Sequence, residues 1–267
     1  MSRKEIIILC VAGCGLFAAG LPLDARVWTN IDGTYVKGSF VRILFDKVLV
    51  EDAIGKKHSI PLARLSRGDL SYLYYHVPPE IEISVSDESY ELPKFEWSRE
   101  EDDVTCYRFS AQVSKTSELP YKANLTAELF VLGAERTRMN DDHLVLMAYE
   151  RKKFGFQDEK KCACVMHFEA VPFHTYRSEW VLRQNAVARG KTLSGYILAV
   201  SDVNGRVVGF ESDVKQKWVT RDLGFSVEKL RGLYGVNHGA VNSRHFNQHF
   251  EKVSPPRIPW FKRSEIH

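Results

Sequence analysis

The sequence predicts a mostly β chain, in which a small barrel closed by one short helix precedes an antiparallel β-sandwich. Three observations carry this. Short strand patterns punctuated by Gly33 and Gly55 run up to a single capped helix near Leu65. Pro78-Pro79 then breaks the chain, because proline lacks an amide donor and its ring clashes with a helix. Beyond residue 80 the apolar residues alternate with polar ones at a period of two, the mark of sheets with one packed face.

The N-terminus reads as an export leader. Arg3 and Lys4 form a basic start, an uncharged stretch runs from Ile6 to Leu23, and Leu23-Asp24-Ala25 offers a small residue before Arg26. That is the layout of a secretory signal peptide over residues 1–25. Val11-Ala12-Gly13-Cys14 resembles a lipoprotein box and offers lipidation at Cys14 as an alternative. A retained membrane anchor is a third reading, since the stretch of about 18 residues is near the lower limit for a spanning helix. Membrane attachment is expected only by one of these two routes, and the chain is otherwise expected in the periplasm or secreted.

About 240 residues lie beyond the leader, long enough for two domains. The net charge of +3 is spread along the chain, so a nucleic-acid partner, which calls for a strongly basic face, is not expected. The run Arg151-Lys152-Lys153 reads as a solvated strand end. Cys106, Cys162 and Cys164 lie beyond the leader, too few for a disulfide framework. Cys162 and Cys164 sit two apart on one strand face with Met166 and Phe168. Their Cα atoms would lie about 6.6 Å apart, at the upper end of disulfide geometry, and buried free thiols are expected.

The first domain spans residues 26–77. Strand patterns cover Val36 to Phe45, Lys47 to Glu51 and Lys57 to Leu62, with Gly33 and Gly55 at turns that need positive φ. The pattern then changes to helix. Ser66 is placed to cap the free N–H groups, Asp69 brings a carboxylate to the positive helix end, and Leu65 with Leu70 brackets the cap as a hydrophobic staple. Residues 78–80 form a linker.

The residues Arg26, Trp28, Gly33, Val36, Gly38, Phe40, Gly55, Ile60, Leu65, Ser66, Asp69, Tyr72 and Leu73 resemble, in order and spacing, the Sla-type homology domain of the fungal endocytic adaptor, a module also found behind signal peptides in uncharacterised bacterial proteins. Gly38 stands where the family usually has Ala, and about one residue is deleted between Gly33 and Val36. The resemblance covers residues 26–76. It implies an SH3-like barrel and a protein or peptide ligand, without carrying over the family's own peptide. Lys56, Lys57 and Arg64 are the candidate contacts to an acidic peptide. Trp28, Phe40 and Leu65 are expected in the core.

The second domain is expected over residues 80–230. Alternating segments run over Glu80–Ser86, Val104–Val113, Asn124–Leu132, His143–Glu150, Lys161–Val171, Thr192–Asp202 and Arg206–Ser212, and Val203-Asn204-Gly205-Arg206 marks a hairpin. Seven or eight strands in about 130 residues predict an immunoglobulin-like antiparallel β-sandwich. A helix is expected over Ser226–Tyr234, and residues 231–267 read as a polar tail packed loosely on the sandwich. Within it His245 and His249, four apart, would share one helix face, and with His238 they are the candidate metal ligands. No cofactor is expected.

The function expected is that of an exported non-enzymatic binding or scaffold protein. The alternative is carbohydrate binding through exposed aromatics, with Trp97, Trp180, Trp218 and Trp260 available. No motif for acyl transfer, metalloprotease, phosphate-loop or dinucleotide chemistry is present. Asp141-Asp142-His143 is the nearest reactive cluster and reads as a turn before a strand, although separated carboxylates can still meet in a fold, as in glycosidases.

Overall fold

The computed structural model describes residues 25–93, 102–135, 143–156, 162–177, 188–236 and 244–255. The fold is mostly β, all ladders are antiparallel, and the chain divides into two compact units, one ending at Leu73 and the other beginning at Tyr74.

The first unit contains β1 (Arg26–Thr29), β2 (Tyr35–Leu44), β3 (Lys47–Glu51) and β4 (Lys57–Pro61), then a 3-10 turn over Leu62–Arg64 and helix α1 (Arg67–His76) as far as Leu73. The strands pair in the order β1-β2-β3-β4. β1 and β4 lie at the two edges, so strand pairing does not close a barrel. A bulge in β2 between Phe40 and Arg42 bends the long strand. Trp28, Val48, Val50, Ile60, Leu65 and Leu73 are buried, while Phe40 is half-buried and packs against Trp28.

Asp69 does more than complement the helix end. It is buried and accepts from Arg26 at 2.5 Å, from the Thr29 N–H at 2.8 Å and from the Ser66 hydroxyl at 2.8 Å. Ser66 Oγ in turn accepts the Asp69 N–H, the cap expected from the sequence. The Arg26 guanidinium lies over the rings of Tyr72 and Trp28, at 3.8 and 4.9 Å from their centroids. Five residues of the resemblance therefore clamp the first strand onto the helix. Gly38 has an equally physical reason. A Cβ there would lie 2.4 Å from the Glu51 carbonyl oxygen and 2.7 Å from a Val50 methyl, so an alanine does not fit this strand spacing.

The second unit contains β5 (Ile81–Glu91), β6 (Asp102–Lys115), β7 (Leu125–Glu135), β8 (Leu144–Phe154), β9 (Ala163–His167), β10 (Val171–Arg177), β11 (Ala188–Ser201), β12 (Val207–Ser212), helices α2 (Lys217–Thr220) and α3 (Leu223–Val236), and β13 (His245–Phe246). The order is β13-β8-β7-β11-β10-β6-β5, with β12 also on β11 and β9 also on β6. One layer is formed by β5, β6, β9 and β10, the other by β7, β8, β11, β12 and β13, joined where the first residues of β11 pair with β10. Phe109, Ala111 and Val113 of β6 face Leu125, Ala127, Leu129 and Val131 of β7 across one core, together with Leu198 and Val200 of β11. These are the faces the alternation picked out. The predicted strand Lys161–Val171 is instead two strands, broken at Phe168–Ala170. Cys106, Cys162 and Cys164 are free, only Cys106 being fully buried. Burial, and then the neighbouring Cys162, pushes the Cys164 thiol up.

Part of the C-terminal segment is packed more tightly than expected. β7 and the C-terminal half of β11 are buried on both faces. Phe130, Leu132, Leu144, Leu146, Ile197 and Ala199 form a second core with Val219, Val227, Leu230, Leu233 and Phe246. Leu233 and Phe246, within the segment 231–267 expected as a loosely packed tail, belong to this core beside Val219, Val227 and Leu230 of the preceding residues. Leu223, Val227, Leu230 and Tyr234 recur at helical spacing along α3, and Asp222 caps it by accepting the Phe225 N–H.

Four loops share one geometry: Asn30–Thr34, Asp52–Lys56, Asp202–Arg206 and Asn247–Glu251. In each, the first N–H donates to the last carbonyl and the fourth N–H to the first carbonyl. The fourth residue takes positive φ: Gly33, Gly55, Gly205 and, in the last loop, Phe250 at 58°.

Candidate functional site

The exposed aromatic end of the first unit is assembled by its 3-10 turn. The Leu62 N–H donates to the Asp46 carbonyl at 2.7 Å, and the Ile31 N–H donates to the Arg64 carbonyl at 2.8 Å. A 3-10 turn rises about 2 Å per residue, so the β1–β2 and β2–β3 loops are drawn close together with Arg64 between them. Phe45 is 99% exposed and Ile31 73% exposed. Phe45 also has φ of 53°, a region in which a bulky side chain crowds the backbone at a cost of about 1–2 kcal/mol. Packing does not offset that cost, since the ring stands in solvent. Phe45 opens the two-residue turn between β2 and β3, where the favoured hairpin turns call for positive φ.

The three basic candidates do not form one patch. Lys56 and Lys57 are exposed at the start of β4, and Arg64 lies beyond its other end, about 13 Å of strand away. Glu51 stands opposite Lys57 in the ladder. Asp52 accepts the Lys56 N–H and is held below the ordinary carboxylate range first by its hydrogen bond from His58. The Lys56–Lys57 end is thus of mixed charge. Arg64 is the candidate at the end that carries Phe45 and Ile31, while Ile54, 86% exposed, stands two residues from Lys56 at the other.

The second unit holds a groove of about 780 Å³. β7 and β8 form its floor, the β11–β12 hairpin one wall, and the last turn of α3 the other. The outer face of the second layer passes here from its helix-covered apolar half to an open polar half. At the boundary Glu128, 2% exposed, accepts two hydrogen bonds from Arg231 and one from Tyr149. Arg151 Nε approaches it at 3.4 Å. Arg231 also donates to the Ser201 hydroxyl. Burial, and then the bond to Glu128, pushes the Tyr149 hydroxyl well above its ordinary pKa. Asp202 accepts the Asn204 and Arg206 N–H groups and pairs with the Arg206 guanidinium at 3.2 Å. Behind the hairpin, burial first and then Asp202 push the core Tyr121 up to about 12. Both groove carboxylates are paired with arginines, Glu128 with Arg231 and Asp202 with Arg206.

The histidine pair is corrected. His245 lies in β13 rather than on a helix, is buried, and bonds to Glu135 Oε1 at 3.1 Å. His249 sits in the following turn, where Asn247 Oδ1 accepts its N–H, and the i, i+4 helical premise fails. No group of metal-ligating side chains occurs among the described residues. Trp218 packs edge-on against Phe246 and Phe250, a core role. Cys14, Trp97, Asp141, Asp142, Trp180, His238 and Trp260 lie outside the described residues, as does the predicted leader up to Asp24. No helix among the described residues is long and apolar enough to cross a membrane.

Neither Phe45 nor the groove is legible in the sequence. Phe45 ends a strand pattern there, with nothing to mark its exposure. In the run Arg151-Lys152-Lys153, period-two alternation places Arg151 and Lys153 on one face, the available signal for the groove. Lys152 points the other way, donating to the His167 carbonyl.

No family model matches the chain, and no curated protein matches it. A crystal structure from Akkermansia muciniphila is similar to part of it, at 17% sequence identity over 54% of this chain and 76% of that one, with a TM-score of 0.24. A likeness at that level carries no weight for fold or function.

Proposed function

We propose that the chain is an exported, non-enzymatic binding or scaffold protein, and that its first unit binds a polypeptide through the end formed by Phe45, Ile31 and Arg64. One observation carries the reading: an aromatic side chain, 99% exposed, on a loop residue held at positive φ. The native state carries that strain without gaining burial. Sequestering a phenylalanine from water is worth about 1.5–3 kcal/mol, enough to make it a binding anchor.

The finer architecture belongs to the same reading. The bent β2, the 3-10 turn bridging two hairpins and the clamp around Asp69 support an SH3-like unit. Two facing layers over one core support an immunoglobulin-like sandwich as spacer or second surface. The Sla-type resemblance supplies the idea of a peptide ligand, and the site moves from the three basic residues to one end of the unit. Export rests on the leader, with membrane attachment only by a retained leader or lipidated Cys14. The carbohydrate alternative through exposed tryptophans finds no support at Trp218, which is packed.

The test is selection of a displayed random-peptide library on residues 26–267. Enriched peptides are then titrated into the parent protein and into Phe45→Ser and Arg64→Ala. Peptides that lose affinity in both variants support the reading. Peptides indifferent to both, or no enrichment, remove it.

A further inference from the structure

We propose that the groove of the second unit is a separate binding site for an acidic saccharide. Charge comes first. The groove contains two carboxylates, Glu128 and Asp202, and each is already occupied, the first by Arg231 and Tyr149 and the second by Arg206 and two backbone N–H groups. Lys153 remains, together with the exposed end of Arg151. The Arg151 side chain is 61% exposed and meets Glu128 only at the 3.4 Å approach. Among the described residues, neither Arg151 nor Lys153 donates a side-chain hydrogen bond. They stand two apart on β8, on the face that lines the groove. The free recognition chemistry is therefore cationic, and it fits carboxylate or phosphate oxygens through charge-assisted hydrogen bonds.

The surroundings select a saccharide over a peptide. The floor residues belong to strands whose backbones already pair with each other, Thr126 opposite Lys153 and Glu128 opposite Arg151. A polypeptide cannot add to the sheet there as a further strand, which is how extended peptides gain most of their main-chain bonds. Recognition must come from side chains instead. Asn124, Thr126 and Asn204 line the groove beside the two cations and offer short amide and hydroxyl groups suited to sugar hydroxyls. The volume of about 780 Å³ lies within the range of small-ligand sites. This site shares no residue with the proposed peptide contact and does not depend on it.

Calorimetric titration of residues 26–267 tests the proposal with three probes: trigalacturonate, the uncharged maltotriose and a hexaglutamate peptide. Trigalacturonate is expected to bind more tightly than either control, with affinity that falls as salt is added. The double substitution Arg151→Ala, Lys153→Ala should weaken it about tenfold or more, since each removed contact is charge-assisted. Asn204→Ala should weaken it less, without changing the salt dependence. All three positions are exposed at their side chains, and an unchanged thermal midpoint will show that the fold is kept. No binding of trigalacturonate, equal binding to the double variant, or equal binding of maltotriose would overturn the proposal. Equally tight hexaglutamate binding would replace the saccharide with an acidic polypeptide.

Discussion

Replacing Asp69 with alanine removes the acceptor on which the first unit converges. Three donors lose their partner: the Arg26 guanidinium, the Thr29 N–H and the Ser66 hydroxyl. They are not equivalent. The Arg26 side chain is 27% exposed and regains water, so its share is discounted. The Ser66 hydroxyl can turn to another acceptor. The Thr29 N–H has no such freedom, because the backbone of β1 is fixed by its ladder with β2. An orphaned backbone donor costs about 1–3 kcal/mol, and a hydrogen bond to a charged group contributes about 1.5–3. The expected loss for Asp69→Ala is therefore about 3–4 kcal/mol. A core of this size rarely supplies more than about 3–5 kcal/mol, so the substitution should unfold the first unit and leave the second folded. Hydrogen exchange read by peptide separates the two: residues 26–73 lose protection, and the buried strands of the second core keep it. A loss of less than about 1 kcal/mol in the first unit would refute this, since Asp69 would then not hold the helix to the first strand.

Two further substitutions test the packing and electrostatics. Gly38→Ala should destabilise the first unit by about 1–3 kcal/mol, read as a lower denaturation midpoint, because the added methyl meets the Glu51 carbonyl oxygen at 2.4 Å; an unchanged midpoint would mean that β2 and β3 part without cost. Glu211 is half-buried in β12, and burial first, then Asp213, raises its carboxyl pKa. The folded state then binds the proton more tightly than the unfolded one, so this group's contribution to stability falls as pH rises from the ordinary carboxylate range through the raised value. Glu211→Gln should flatten that part of the stability–pH curve, measured by urea denaturation at a series of pH values; an identical slope would exclude Glu211 as its source.

The sequence is most legible where a local rule carries the structure. Ser66 capping Asp69, Asn204-Gly205 turning the β11–β12 hairpin and the alternation of Phe109, Ala111 and Val113 each rest on backbone chemistry within a few residues. It is less legible where the deciding contact is distant. The apolar residues Phe130 and Leu132 occupy the face of β7 opposite Leu129 and Val131, so β7 reads simply as a buried run. Only the helix almost a hundred residues later explains the second core. The last hairpin is hidden for a different reason. Its loop repeats the Asx-x-x-Gly pattern of three others, with Phe250 at the glycine position, so the turn signal is absent and His245 and His249 read as helical. Packing of Phe250 on Phe246, with rings nearly parallel and 5.4 Å apart, offsets the strain at that site. Phe45 has the same backbone problem and no such packing. Distances through space, and exposure above all, are what the sequence lacks at both candidate sites.

Phe45→Gly tests most directly whether Phe45 serves binding rather than folding, when stability and peptide affinity are measured on the same protein. Glycine relieves the positive-φ strain of about 1–2 kcal/mol and gives back roughly 0.5–1 kcal/mol through unfolded-chain entropy. The expected result is a first unit as stable as the parent or more stable by up to about 1.5 kcal/mol, together with a loss of at least about tenfold in affinity for library-selected peptides. A variant that is destabilised by more than about 1 kcal/mol, or one that binds those peptides as tightly as the parent, would contradict a binding role for Phe45.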